Sequence, residues 1–268
     1  MHRTAVTLTA LASAVGLLLA GCASSSATGR AFTESPESGR SSAPVSGTVN
    51  VFAAASLKDA FTTLGQQFEA AHPGVKVVFN FGPSSGLATQ ITQGAPADVF
   101  ASASTKNMDQ VVTAGAAASP TSFASNVMEI AVPAKNPAAI TALSDLAKPG
   151  VKVAMCQSEV PCGVTAATVF ANAKLTVTPV TQEVDVKAVL AKVILGEVDA
   201  GVVYVTDVRA AGATVKGIEI STDVNAFTKY PIATLTTAPN KAGGQAFTDY
   251  VLSADGAAVL TAAGFAKP

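Results

Sequence analysis

Between Val51 and Phe61 the chain reads VFAAASLKDAF, an apolar run that becomes an amphipathic helix at a single serine. Val51, Phe52 and the three alanines after them fit the end of a buried strand, and Leu57, Phe61, Leu64 and Phe68 recur at helical spacing. The same switch returns along the chain. Short β-like runs at 48–53, 75–81, 98–101, 127–132, 151–155, 177–180, 200–205 and 230–235 alternate with helical patterns that end near Ala71, Gly94, Ala114, Ala173 and Leu195 and that close the chain over 243–265. Such alternation predicts an α/β fold with mainly parallel sheets. The pattern stops after Val132 in a Pro-punctuated loop and restarts at Val151, which predicts two α/β units joined by two extended crossings. The first, discontinuous lobe is expected over 47–126 and 232–268, and the second over 127–231.

Ser56, with Asp59 three positions on, has the pattern of a helix N-terminus. It has two uses. The hydroxyl can cap its own helix, or the free N–H groups at the positive end of the helix can seat an anion with no help from Lys or Arg. Ligands of open α/β sheets bind outside the carboxyl ends of the strands, where helix starts gather. Ser56, Ser84, Cys162, Val186 and Tyr204 all fall at such ends. Their convergence favours an anion held in a cleft between the two units.

Residues 1–21 carry His2 and Arg3 and then an apolar, small-residue run up to Leu19-Ala20-Gly21-Cys22, the pattern of a secretory signal. Over 22–46 the composition turns to Ser, Pro, Gly and Thr with no apolar period, which predicts a disordered tether. Removing Arg3 from the 17 basic residues leaves 16 against 18 acidic ones, a net charge near −2. With no Lys/Arg cluster and no aromatic stacking pattern, a nucleic-acid partner is not expected. Cys156 and Cys162 lie six apart across a strand-to-helix loop in an oxidising compartment, which predicts a disulfide. A loop that short gains only about 2 kcal/mol from chain entropy. The bond's use is to fix the loop's shape.

The Leu-Ala-Gly-Cys ending resembles the lipobox of bacterial lipoproteins, which implies a lipidated Cys22 and a place on the extracytoplasmic face of the cell membrane. VFAAASL at 51–57, GAPADVFASA at 94–103, VPCG at 160–163 and GVVYVTD at 201–207 together resemble the molybdate-binding proteins that serve ABC importers, over a span from about Thr48 to Pro268. The resemblance implies the two-lobed periplasmic binding protein fold of type II and a monomeric receptor, not an enzyme. Its ligand would be molybdate or tungstate, delivered to an ABC permease without any cofactor. It implies an oxyanion held by hydrogen bonds, with no direct protein–metal coordination. Ser56 and Ser84 would donate from hydroxyl and backbone, Cys162 and Val186 from the backbone N–H, and Tyr204 from its phenol. Cys162 stands where the family usually has Ala. The turn Gly82-Pro83-Ser84-Ser85-Gly86 leaves open whether Ser84 or Ser85 faces the anion, with Ser84 preferred. Gln157-Ser158-Glu159 matches no role.

A cage of neutral donors with no acceptor has a selectivity. A protonated phosphate would bring an O–H that nothing receives, at about 1–3 kcal/mol, whereas sulfate would differ from molybdate by size alone. The alternative function is a secreted serine hydrolase, because Gly82-x-Ser84-x-Gly86 lies between a strand and a helix as a nucleophile elbow does. Against it, the remaining histidine, His72, precedes the serine, and that fold's order needs one well after it. His/Cys spacing fits no zinc site, and Tyr204, Tyr230 and Tyr250 are too scattered for an iron lobe. Asp59 and Asp98 are expected to be structural, the one capping a helix and the other at a strand end. A purely structural lipoprotein would need no converging helix starts.

Overall fold

The computed structural model describes residues 45–268; the expected signal sequence, Cys22 and nearly all of the expected tether lie outside the described residues. Strand β1 (Gly47–Ala54) runs through a single 3-10 turn, Ala55–Leu57, into helix α1 (Lys58–Ala71). One face of α1 buries Phe61, Leu64 and Phe68, the spacing that made it legible. Then come β2 (Val75–Gly82), α2 (Ser84–Thr92), β3 (Val99–Ala101) and α3 (Thr105–Thr113). The long β4 (Thr121–Pro133) leads to β5 (Val153–Cys156), α4 (Pro161–Asn172), β6 (Thr181–Glu183), α5 (Val186–Ile194), β7 (Ala200–Tyr204), α6 (Val205–Ala211) and β8 (Val215–Glu219). Strand β9 (Phe227–Thr234) and helices α7 (Lys241–Leu252) and α8 (Ala254–Ala262) follow.

The strands lie in the order β2-β1-β3-β9-β4-β7-β5-β6, with β8 also on β4. Parallel pairing, expected to dominate, is confined to β1 with β2 and β3 and to β5 with β6 and β7. Every pair made by β4 or β9 is antiparallel, and these two strands carry the chain across to the second half and back. The first stretch of β4, Thr121–Val127, pairs with β9, and the second, from Met128, pairs with β7 and β8. One strand therefore belongs to both halves of the sheet.

Two expectations on elements need correction. The strand expected at 177–180 forms instead at Thr181–Glu183, where β5 offers a free edge from Ala154 onward. Strand β8 was not foreseen, since only Val215 and Ile218 of its five residues are buried and so short a period carries little signal. The helices expected over 243–265 form as α7 and α8, separated at Ser253, whose hydroxyl accepts the Gly256 N–H at 3.2 Å and caps α8.

The two halves bury different chemistry. Around β1 the core is aromatic, with Phe247 at 5.3 Å from Phe68, 6.1 Å from Phe61 and 6.1 Å from Phe79 between ring centroids, all edge-on. Around β5 and β7 it is aliphatic, with Val153, Val169, Val189, Val193 and Val202 fully or almost fully buried. There α5 rests on β7 at Gly201, where a Cβ would come within 2.7 Å of Val189 and 2.9 Å of Val193. Replacing Phe247 by Ala is expected to lower stability by about 3–5 kcal/mol in urea unfolding, while Leu195→Ala, at a side chain 69% exposed, stays within about 0.5 kcal/mol.

Candidate anion-binding site

The C-terminal ends of β1, β2 and β7 and the starts of α2, α4 and α5 surround one cavity of about 20 Å³. A metabolite-sized site runs to ~300–1,000 Å³, so this one has room for a single small ion. Its walls include Ser56, Ser84, Cys162, Val186 and Tyr204, the five residues singled out in the sequence; Ser85 is not among them. Sequence reasoning passed over Ala54, Ala55, Pro83, Ala103, Val160 and Pro161, which supply backbone and small apolar surface with no chemical signature of their own. Among the described residues, no Lys or Arg lines the cavity. Asp185 does; one of its carboxylate oxygens accepts the Ala188 N–H at 3.0 Å, which caps α5.

Each hydroxyl in the wall is left with a hydrogen to give. Ser84 Oγ accepts the Ala103 N–H at 2.9 Å, so its own proton is free to point inward. Ser56 does not cap α1: the 3-10 turn inserts ahead of the helix and puts Leu57 at the cap position. The Ser56 hydroxyl instead meets the Tyr230 phenol at 2.9 Å, and with Tyr230 as donor the serine proton is likewise available. Tyr204 is the decisive member. It is 1% exposed, and its phenol oxygen has no hydrogen-bond partner. The neighbouring Thr165 hydroxyl donates its proton to the Pro161 carbonyl at 2.9 Å. Burial pushes the Tyr204 phenol well above its ordinary pKa, so it is a permanent donor, and stranding such a group costs about 1–3 kcal/mol until an acceptor arrives.

The backbone supplies the remainder. Cys162 is the second residue of α4 and Val186 the first of α5, positions whose N–H groups have no partner inside the helix. A disulfide joins Cys162 to Cys156 at the end of β5, as expected, with 5.8 Å between the Cα atoms. The loop between them folds back so tightly that a Cβ on Gly163 would overlap the Gln157 carbonyl.

Charge is kept behind the wall. Lys187 Nζ lies 2.6 Å from Asp59 Oδ2 and 3.0 Å from Asp207 Oδ1. The other oxygen of Asp207 accepts the Tyr204 N–H at 3.1 Å. Asp59 therefore is not a helix cap but half of an ion pair. Burial works against the charged form of Lys187, yet the two carboxylates outweigh it and hold its pKa above the ordinary value. Burial likewise pushes the Asp207 carboxyl up to about 6, against the lowering pull of Lys187. Asp98 is structural: its oxygens accept the Asn50 N–H at 2.7 Å and the Asn240 N–H at 2.6 Å, tying β1 and α7 to the start of β3.

Residues 49–266 match the sequence family described as bacterial extracellular solute-binding protein. The molybdate-binding protein ModA of Mycobacterium tuberculosis (strain ATCC 25618 / H37Rv) is 45% identical over 219 residues, which cover 81% of this chain and 84% of that one. The chain belongs to the molybdate-binding family of bacterial extracellular solute-binding proteins. The Escherichia coli (strain K12) ModA is 32% identical over 82% of this chain and 89% of its own length. In structure, the periplasmic molybdate-binding protein of Azotobacter vinelandii shares the fold, with a TM-score of 0.74 at 21% identity, across 82% of this chain and 99% of that one. Members of this family work outside the cytoplasm, and among the described residues no helix is long and apolar enough to cross a membrane. The hydrolase alternative has no support in this fold. His72 stacks on Phe68 at 4.3 Å beyond the end of α1, just before β2, whereas Ser84 lies just past the far end of that strand, roughly 25 Å away.

Because folding raises the Asp207 pKa from the ordinary 3.8 to about 6, the native state binds this proton more tightly than the unfolded chain. Its contribution to stability is greatest at low pH and is lost as pH rises through about 6. Between pH 7 and pH 5 it should add on the order of 1 kcal/mol. Thermal unfolding at these two pH values is expected to show that gain in the wild type and a flatter response in Asp207→Asn.

Proposed function

We propose that the protein is an extracytoplasmic receptor that closes two lobes, 47–126 with 232–268 and 127–231, around molybdate or tungstate and hands the anion to an ABC permease. The observation that carries this is the buried, unpartnered phenol of Tyr204 facing a small cavity walled by helix starts and free of cations. The names of the relatives specify the oxyanion. Ser56 and Ser84 stand on one side of the cavity and Cys162, Val186 and Tyr204 on the other, so an anion is fully held only when both sides reach it, and it favours the closed form. A lipid at Cys22 and the segment 22–46 would hold a monomeric receptor beside the permease. No step of this function makes or breaks a covalent bond, and no cofactor enters it.

Discrimination follows from the donor set. A fully ionised tetrahedral oxyanion accepts from every donor in the wall, each charge-assisted bond being worth about 1.5–3 kcal/mol. A hydrogen phosphate brings a donor into a cage of donors.

Calorimetric titration with molybdate, tungstate, sulfate and phosphate in one buffer is expected to show tight binding of the first two and at least tenfold weaker binding of phosphate. Equal affinity for phosphate and molybdate would contradict the donor-only cage. Tyr204→Phe should weaken molybdate binding about ten- to hundredfold while leaving the ligand-free protein as stable as the wild type or slightly more so, since it removes an unsatisfied hydroxyl. Ser56→Ala should also weaken binding without unfolding the protein.

A further inference from the structure

The charged group behind the cavity touches no wall atom that would meet an anion, yet it is bonded to the supports of three that would. Asp59 sits three residues after Ser56 on the first turn of α1, Lys187 directly follows Val186, and Asp207 holds the backbone N–H of Tyr204. Its two ion pairs differ in kind. Lys187 and Asp207 belong to α5 and α6, which pack on the same aliphatic half, and Asp207 is fully buried. Asp59 belongs to α1 in the aromatic half and is 56% exposed, so the 2.6 Å contact from Lys187 to Asp59 spans the two halves across 128 residues of chain. A rigid separation of the halves would break this pair and leave Lys187 with Asp207.

We propose that Lys187 is a positioning residue that latches the closed cleft through Asp59, with Asp207 keeping its ammonium aimed across the gap in both the open and the closed form. The latch rests on the receptor function proposed above and adds a term to it. The anion and the Lys187–Asp59 pair both favour the closed state, so each strengthens the other. A contact made only after closure slows release of the anion more than it speeds capture. Asp207 also explains how a lysine comes to sit beside the site without entering it: the ammonium is held by two carboxylates, which leaves the cage to neutral donors.

Asp59→Asn tests this, because Asp59 is at the surface and its loss leaves the buried Lys187–Asp207 pair in place. Sodium molybdate affinity and dissociation rate are measured for the wild type, Asp59→Asn, Lys187→Arg and Lys187→Met, together with thermal midpoints in the presence and absence of molybdate. The expected result for Asp59→Asn is a dissociation rate and a Kd raised about threefold or more, with the midpoint of the ligand-free protein unchanged. Lys187→Arg should retain most of the wild-type affinity. An unchanged Kd in Asp59→Asn would overturn the latch. So would an equal fall in the ligand-free and ligand-bound midpoints, which marks a pair that serves stability alone. Lys187→Met strands the buried Asp207 and is expected to destabilise both forms, which is why the surface variant carries the decision. A wild type that binds neither molybdate nor tungstate would defeat the receptor function itself, and the latch with it, before any variant is compared.

Discussion

An anion that leaves water for a protein cavity must exchange a complete hydration shell for donors that are already in place. In this chain those donors are assembled without a counter-charge. Helix starts supply N–H groups that no carbonyl within the helix can use, and Ser84 and Ser56 each have an oxygen positioned to accept from within the protein, which leaves the proton to give. Tyr204 is the extreme case, a buried phenol with no partner at all. The arrangement is costly when empty and favourable when an acceptor fills it, which is the thermodynamic condition for a receptor.

The fold makes such a gathering easy. Each parallel strand delivers its chain to the start of a helix at the same edge of the sheet, so β1, β2, β5 and β7 bring Ser56, Ser84, Cys162 and Tyr204 toward a common edge. Antiparallel β4 and β9 bind the two sets of parallel strands into one sheet. Close approaches then remove the remaining slack. Gly201 lets α5 rest on β7, and the Cys156–Cys162 bond together with Gly163 fixes the turn into α4. Behind the wall, one layer back, Lys187 and Asp207 neutralise each other and support it.

Much of this was legible because it is local. The strand-to-helix switch at Ser56 and the short loop between Cys156 and Cys162 depend on residues within a few positions of one another, and they appear where periodicity and spacing put them. Misplaced elements were those with little local signal, such as β6 and β8. Side-chain roles fared less well. Asp59 has the spacing of a capping residue, but a lysine 128 residues away claims its carboxylate. Ser56 likewise turns from its own helix toward Tyr230, which lies 174 positions on.

The sequence by itself determined the α/β alternation, the chain positions where helices begin, and hence which residues could offer free donors, since these follow from apolar period and turn chemistry over a dozen residues at most. Only the tertiary structure decided that those beginnings face one cavity, that Tyr204 is left without a partner there, and that Lys187 joins two carboxylates from different halves. Contacts of that kind depend on how distant strands are ordered and paired, and no local pattern encodes the order β2-β1-β3-β9-β4-β7-β5-β6 that sets them.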